Sequence, residues 1–300
     1  MSTSLAHPSP QHPSMGLGAA ALASMLWGFG GILGALTFAP GVLVAFYRLW
    51  IGTALLLALT YGSGRRVSVA TIRAATLGGI FLSIDMITFF TAVKFTSIVD
   101  VSLIGAFQPA LIILAARKIF GERMRGRDVG LIVVAMVGVT LTVVGAPTMS
   151  RHAVLGNLLA LGSLVSFSAY WLVSKRARER HDALEYTTGV TLVAAMSATP
   201  VVLVLGQSLA QVHARDWLWI VLLAIVPGGG HLLMNWAHRF VDASISSAIS
   251  CLSPLVAAVA AIPILGQPLS TLQVTGVVVG LSAIAVVAAR HRQPAAPPVE

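Results

Sequence analysis

From Ala92 to Val144 the chain reads AVKFTSIVDVSLIGAFQPALIILAARKIFGERMRGRDVGLIVVAMVGVTLTVV. Phe107-Gln108-Pro109 leads into an apolar run, Arg117-Lys118-Ile119-Phe120-Gly121-Glu122-Arg123 ends it, and a second apolar run follows. Much the same text returns 145 residues later. Ala92 is matched by Ala237, Phe95 by Phe240, Pro109 by Pro254 and Gly121 by Gly266. Ser102, Ile104, Ala115, Ala116, Ile119, Val129, Val133 and Val134 also meet their own kind, with no gap. Alanine and valine coincide cheaply in apolar text, so the proline and glycine matches carry most of the weight. The chain reads as two copies of one unit.

Working outward, the 300 residues are 57% hydrophobic and 10% charged, with a mean hydropathy of +0.89. A soluble domain carries about 25% charged residues, so this chain needs lipid as its main solvent. The net charge of +9 falls in short clusters between apolar runs. Binding to nucleic acid needs a continuous basic stripe, and is excluded on that ground. The single cysteine, Cys251, rules out an intrachain disulfide or a CxxC metal site. Neither a metal nor another cofactor is expected. Residues 1–14 are rich in Pro, His and Ser without Lys or Arg, and read as a disordered tail rather than a signal peptide. Residues 291–300 read as a second tail.

Ten apolar runs follow: 15–37, 40–61, 73–92, 97–117, 127–145, 153–174, 186–205, 217–237, 243–265 and 271–289. Each has about the 20 residues that cross a hydrocarbon core as a helix, and lipid offers unpaired backbone no other choice. With the N-terminus in the cytoplasm, fifteen of the 19 Lys and Arg residues lie in cytoplasmic loops, and Lys94, Arg151 and Arg215 lie outside. That bias places both termini in the cytoplasm. Five spans per copy is an odd number, so the second copy enters the membrane from the opposite side. The expected fold is an all-α integral membrane protein: a five-helix unit over 15–145 and an inverted one over 153–290. Inverted repeats build many secondary transporters, with the substrate held at mid-membrane between the halves.

Charges inside spans are costly and therefore informative. Arg48 and Asp85 lie at equal depth in the second and third runs, about 12 Å from the outer face at about 1.5 Å per residue. They read as an ion pair or shared cavity, serving either as a substrate site or as a structural clamp. Asp100 lies near the outer end, where it can be solvated. Phe81, Asp85 and Phe89 form one stripe at i, i+4, i+8, and His231 and Asn235 repeat the i, i+4 spacing in the eighth run. His231 reads as a packing residue or a cavity-lining donor. Pro227-Gly228-Gly229-Gly230 is expected to interrupt the eighth helix, and Pro109 and Pro254 to break the fourth and ninth at matched positions. Such breaks serve as packing kinks or as hinges. Trp27, Phe107, Phe167, Tyr170 and Trp171 are aromatics inside spans. Together with sparse charge they suggest a cavity for a flat apolar ligand. Gly28-Phe29-Gly30-Gly31 does not match the dinucleotide motif GxGxxG.

Ten spans in two halves, Trp27-Gly28 in the first run, and Pro109 followed by Phe120-Gly121-Glu122-Arg123 resemble the drug/metabolite transporter superfamily, EamA type. The resemblance covers about 15–290. The second copy departs from the pattern, reading Gly266-Gln267 where the first has Gly121-Glu122. Within the superfamily the chain is most similar to aromatic amino acid exporters. The resemblance implies alternating access in the bacterial inner membrane and outward transport of small metabolites. The expectation is therefore an exporter of aromatic and other neutral amino acids, working as a monomer. Trp27, Phe89, Phe107 and Trp171 would meet the side chain, and Arg48, Phe81, Asp85, Gln108, His231 and Asn235 would line the rest of the cavity. A drug or general metabolite carrier is the rival within transport. An intramembrane aspartyl protease would need two deep Asp residues, and only Asp85 qualifies. GxSxG and HExxH are absent, so no catalytic residues are assigned; a ligand sensor would lack any attached signalling domain.

Overall fold

The computed structural model describes residues 13–96, 101, 104–122, 124–144, 153–265 and 269–290. Residues 1–12, the C-terminal tail, Asp100, Arg123, Arg151, Gly266 and Gln267 lie outside them; Pro13 and Ser14, expected in the disordered tail, form the first turn of a helix instead. The elements are α1 (Pro13–Leu36), α2 (Gly41–Gly62), α3 (Val69–Phe95), α4 (Gln108–Phe120), α5 (Gly126–Val144), α6 (Ala153–Ala177), α7 (Ala183–Val204), α8 (Asp216–Ala237), α9 (Ala243–Ser250), α10 (Leu252–Leu265) and α11 (Thr271–Arg290). A short 3-10 turn (Leu209–Gln211) precedes α8. Among the described residues, eight helices are long and apolar enough to cross a membrane, with α9 and α10 taken together as one. Part of the fourth run lies outside the described residues; within it, residues 101, 104 and 105 are helical and the 13-residue α4 begins after a turn at Ala106–Phe107.

Local chemistry sets the ends. Ser68 accepts from the Thr71 amide at 3.1 Å to start α3, and Asp182 accepts from the amides of Leu184 and Glu185 to start α7. Gly121, at φ 69, closes α4 in the left-handed conformation. Inside the helices, hydroxyls fold back onto carbonyls four residues earlier, as Ser24 does on Ala20 and Thr53 on Leu49, both at 2.7 Å. That arrangement keeps these hydroxyl donors from standing bare in lipid.

The helices pack across the two halves of the sequence. α1 lies on α8, α3 on α6 and α7, α2 on α7, and α5 on α11. One core joins α1, α4, α5, α9, α10 and α11 with Trp171 of α6 and Met234 and Ala237 of α8, a second joins α2, α3, α7 and α8 with Leu33 of α1 and Tyr170 of α6, and Phe167 of α6 packs against both. At one end of the bundle, the Phe38 amide donates to the fully buried Asp216 at 2.8 Å, and the Arg215 guanidinium lies 3.7 Å over the Phe38 ring. The Lys94 ammonium donates to the Thr37 carbonyl there at 2.7 Å.

At the opposite end Lys175 donates to the carbonyls of His238 and Val241 at 2.6 and 2.7 Å, Arg65 pairs with Asp182, and Arg290 with Asp128. Glu122 accepts from the amides of Ala243 and Ser244 and from the Ser244 hydroxyl, capping α9, whose own Asp242 makes no side-chain cap bond. Glu122→Ala should lower stability by about 1–2 kcal/mol, the usual cost of a lost N-cap reinforced by the helix dipole. Thermal unfolding in detergent checks this.

The breaks differ from expectation in an instructive way. Pro227-Gly228-Gly229-Gly230 does not interrupt α8, which runs unbroken from Asp216 to Ala237. The glycine step serves close approach instead: a Cβ on Gly230 would lie 2.8 Å from the Trp27 indole nitrogen and 3.0 Å from the Ala23 carbonyl of α1. Pro109 stands in the first turn of α4, where proline fits because its missing N–H would be unbonded anyway. The break itself falls just before, at Ala106–Phe107. Its counterpart 145 residues on is Cys251, between α9 and α10, with Pro254 three residues later. The ninth run is thus two helices rather than one.

Candidate functional site

Five rings from three helices gather at the centre of the bundle. Trp27 of α1 lies 5.5 Å from Phe167 and 5.8 Å from Trp171 of α6, and 5.1 Å from His231 of α8. Tyr170 lies 5.8 Å from Phe167 and 5.7 Å from His231. Phe167 and Tyr170 are stacked and the other pairs edge-on or tilted, geometries that at these distances suit the ring quadrupoles. The Trp27 indole N–H also donates to the Pro227 carbonyl at 3.1 Å. Trp27→Phe keeps one ring but removes this donor and the volume of the five-membered ring packed against α8, so it should cost about 2–3 kcal/mol, read as a drop of several degrees in Tm.

The polar groups border this cluster. Asn235 donates to the Tyr170 hydroxyl at 3.1 Å and to Thr187 at 3.0 Å. Its Oδ1, the His231 Nδ1 and the Trp171 Nε1 are buried and have no hydrogen-bond partner among the described residues. Gln108 is also buried; its side-chain carbonyl accepts from Ser250 at 3.4 Å, and its Nε2 has no partner among the described residues.

Arg48 and Asp85 are 6% and 3% exposed, yet they make no contact ion pair. Among the described residues, no carboxylate oxygen comes within 4.0 Å of Arg48. The paired reading is corrected by what each does instead. Arg48 donates through Nε to the Leu223 carbonyl at 3.1 Å, sets Nη1 against the Met86 sulfur, and lies 5.5 Å over the Phe90 ring. Asp85 accepts from Ser163 of α6 at 2.6 Å. The two charges still act on one another, and Arg48 also acts on Tyr170 and His231.

Of the other expected site residues, Phe81 and Phe89 are half-buried beside the second core, with Phe89 5.2 Å from Phe90. Phe107 is 52% exposed and makes no ring contact with the cluster. Ser163, Phe167, Tyr170 and Thr187 belong to the site as much as the residues singled out from sequence. Outside the spans, His238 lies 5.0 Å from the Trp171 ring. Burial holds its imidazole well below the usual histidine range, and Lys175 and Arg178 add to the effect. Arg178 is lowered to about 10, chiefly by burial, and donates to the Asn235 carbonyl at 2.7 Å.

The family model described as EamA-like transporter family matches residues 14–144 and again residues 154–289. The pseudopaline exporter CntI of Pseudomonas aeruginosa is 24% identical over 209 residues, 69% of this chain and 71% of its own length. The uncharacterized transporter YwfM of Bacillus subtilis is 28% identical over 279 residues, 91% of this chain and 93% of its own. A crystal structure of another protein superposes with a TM-score of 0.76 at 20% identity, covering 91% of this chain and 97% of that one.

Proposed function

We propose that this chain, which belongs to the EamA-like transporter family, exports aromatic and other neutral amino acids by alternating access. Membership makes it a multi-pass membrane transporter of small molecules rather than an enzyme. One observation carries the substrate reading. A buried cation and a buried carboxylate, on packed helices, stop short of each other beside a cluster of five aromatic rings. Two opposite charges held apart in a low-dielectric site are each under-compensated. An amino acid zwitterion completes both: its carboxylate meets Arg48 and its ammonium meets Asp85. A flat side chain then extends among Trp27, Phe167, Tyr170, Trp171 and His231, with the unpaired His231 Nδ1 and Asn235 Oδ1 as further polar contacts.

The remaining architecture follows the same proposal. Ten spans form two units of opposite sense, 15–145 and 153–290. The reciprocal packing supports this, since α1 lies on α8 as α6 lies on α3. The end holding Arg65, Lys175, Arg178 and Arg290 faces the cytoplasm of a bacterial inner membrane, with both termini there. The chain works as a monomer. Proteoliposome counterflow tests the substrate: labelled phenylalanine should exchange with internal phenylalanine and be competed by tryptophan but not by sugar phosphates. No exchange of either amino acid, or equal competition by sugar phosphates, would overturn the proposal.

A further inference from the structure

Pro227 sits in the interior of α8 and has no N–H to give. The acceptor it abandons is the carbonyl four residues earlier, at Leu223. In lipid such a carbonyl needs a replacement partner. It has one from another helix: the Arg48 Nε of α2, at 3.1 Å. The Pro227 carbonyl is in turn held by Trp27 of α1. The carbonyl that the proline leaves without its helical donor and the proline's own carbonyl are therefore each held by a side chain of another helix, Arg48 and Trp27. The opposite copy offers no equivalent, because Leu82 stands 145 residues before Pro227.

We infer that Arg48 is a positioning residue for α8: it holds α8 in place through the Leu223 carbonyl and releases it, for bending at Pro227, when a cargo carboxylate draws the guanidinium away. The inference rests on the substrate reading above. The chemistry is a competition between two acceptors for one cation. A carboxylate binds guanidinium more strongly than a neutral carbonyl does, and bidentately. Empty, Arg48 stays on Leu223 and α8 is braced. Loaded, the carbonyl is freed, the helix loses the brace at the one residue whose own backbone cannot replace it, and α8 moves. Cargo without a carboxylate would bind without releasing the brace.

A double substitution separates the parts. Pro227→Ala supplies an N–H that bonds Leu223 within the helix, making the Arg48 contact redundant. Arg48→Met should lower Tm by several degrees in the native background and by markedly less in the Pro227→Ala background. Arg48→Lys, which keeps the charge and a donor, should fall between them and covers the case in which the methionine variant does not fold. Equal losses in both backgrounds would overturn the inference. Pro227→Ala alone should bind phenylalanine with an affinity within about twofold of native, since Arg48 is untouched, while turnover in counterflow falls by roughly tenfold or more. Native turnover in that variant would also overturn it. If phenylalanine fails to bind the native chain, the substrate reading and the release step fall together, and the thermal comparison still decides whether Arg48 braces α8.

Discussion

Asp85→Asn is expected to reduce phenylalanine transport, as kcat/KM, by about 100- to 4,000-fold without unfolding the chain. Removing one partner of a buried ion pair leaves the other uncompensated, at about 3–5 kcal/mol, and every 1.4 kcal/mol is about tenfold. Here the stranded partner is the cargo ammonium. Asparagine has the shape of aspartate and its amide oxygen can still accept from Ser163, which lies 2.6 Å away in the native chain. The fold should therefore persist, with Tm within a few degrees of native. Counterflow kinetics beside a melting curve would separate the two effects. Native transport in a folded Asp85→Asn protein would remove the carboxylate from the binding site.

The second large effect concerns the seam between α5 and α11. A Cβ on Gly138 would lie 2.5 Å from the Gly280 nitrogen, 2.6 Å from its Cα and 2.8 Å from the Gly276 carbonyl. All three obstacles are backbone, so no rotamer change can make room. Close approach through small residues is the main attraction available between helices in lipid. Gly138→Leu must push the two helices apart, separating Arg290 from Asp128, now 3.0 Å apart. Loss of a monodisperse species on size-exclusion chromatography is expected, with Gly138→Ala giving a milder drop in Tm. A leucine variant of native elution and melting would show that the seam is not closed as described.

Much of this was legible in the chain itself, for physical reasons. Charge in lipid is expensive, so Arg48 and Asp85 stand out, and both are buried. The 145-residue spacing located matched breaks, since Ala106 and Cys251 fall at equivalent points. What the spacing could not show is that Arg48 and Asp85 pass each other by, because their nearest partners are a main-chain carbonyl and a serine. Ser163 carried no signal, as membrane helices are full of serines bonded to their own backbone. The sequence groups Phe167 and Tyr170 with Trp27 as cavity aromatics, but their place beside it depends on which face of α6 turns inward, which spacing alone does not give. Helix propensity alone makes Pro227-Gly228-Gly229-Gly230 look like an interruption, but lipid changes the balance. There, an unbroken helix with one borrowed donor is cheaper than exposed backbone.

The break between α9 and α10 has a practical consequence, because it is marked by Cys251. This is the sole thiol in the chain, and it is 3% exposed. Every engineered label can be placed elsewhere after one conservative replacement, and the native sulfur itself becomes a clock. The rate at which a small maleimide alkylates it reports how often that joint opens, cargo present or absent, in an otherwise unmodified protein.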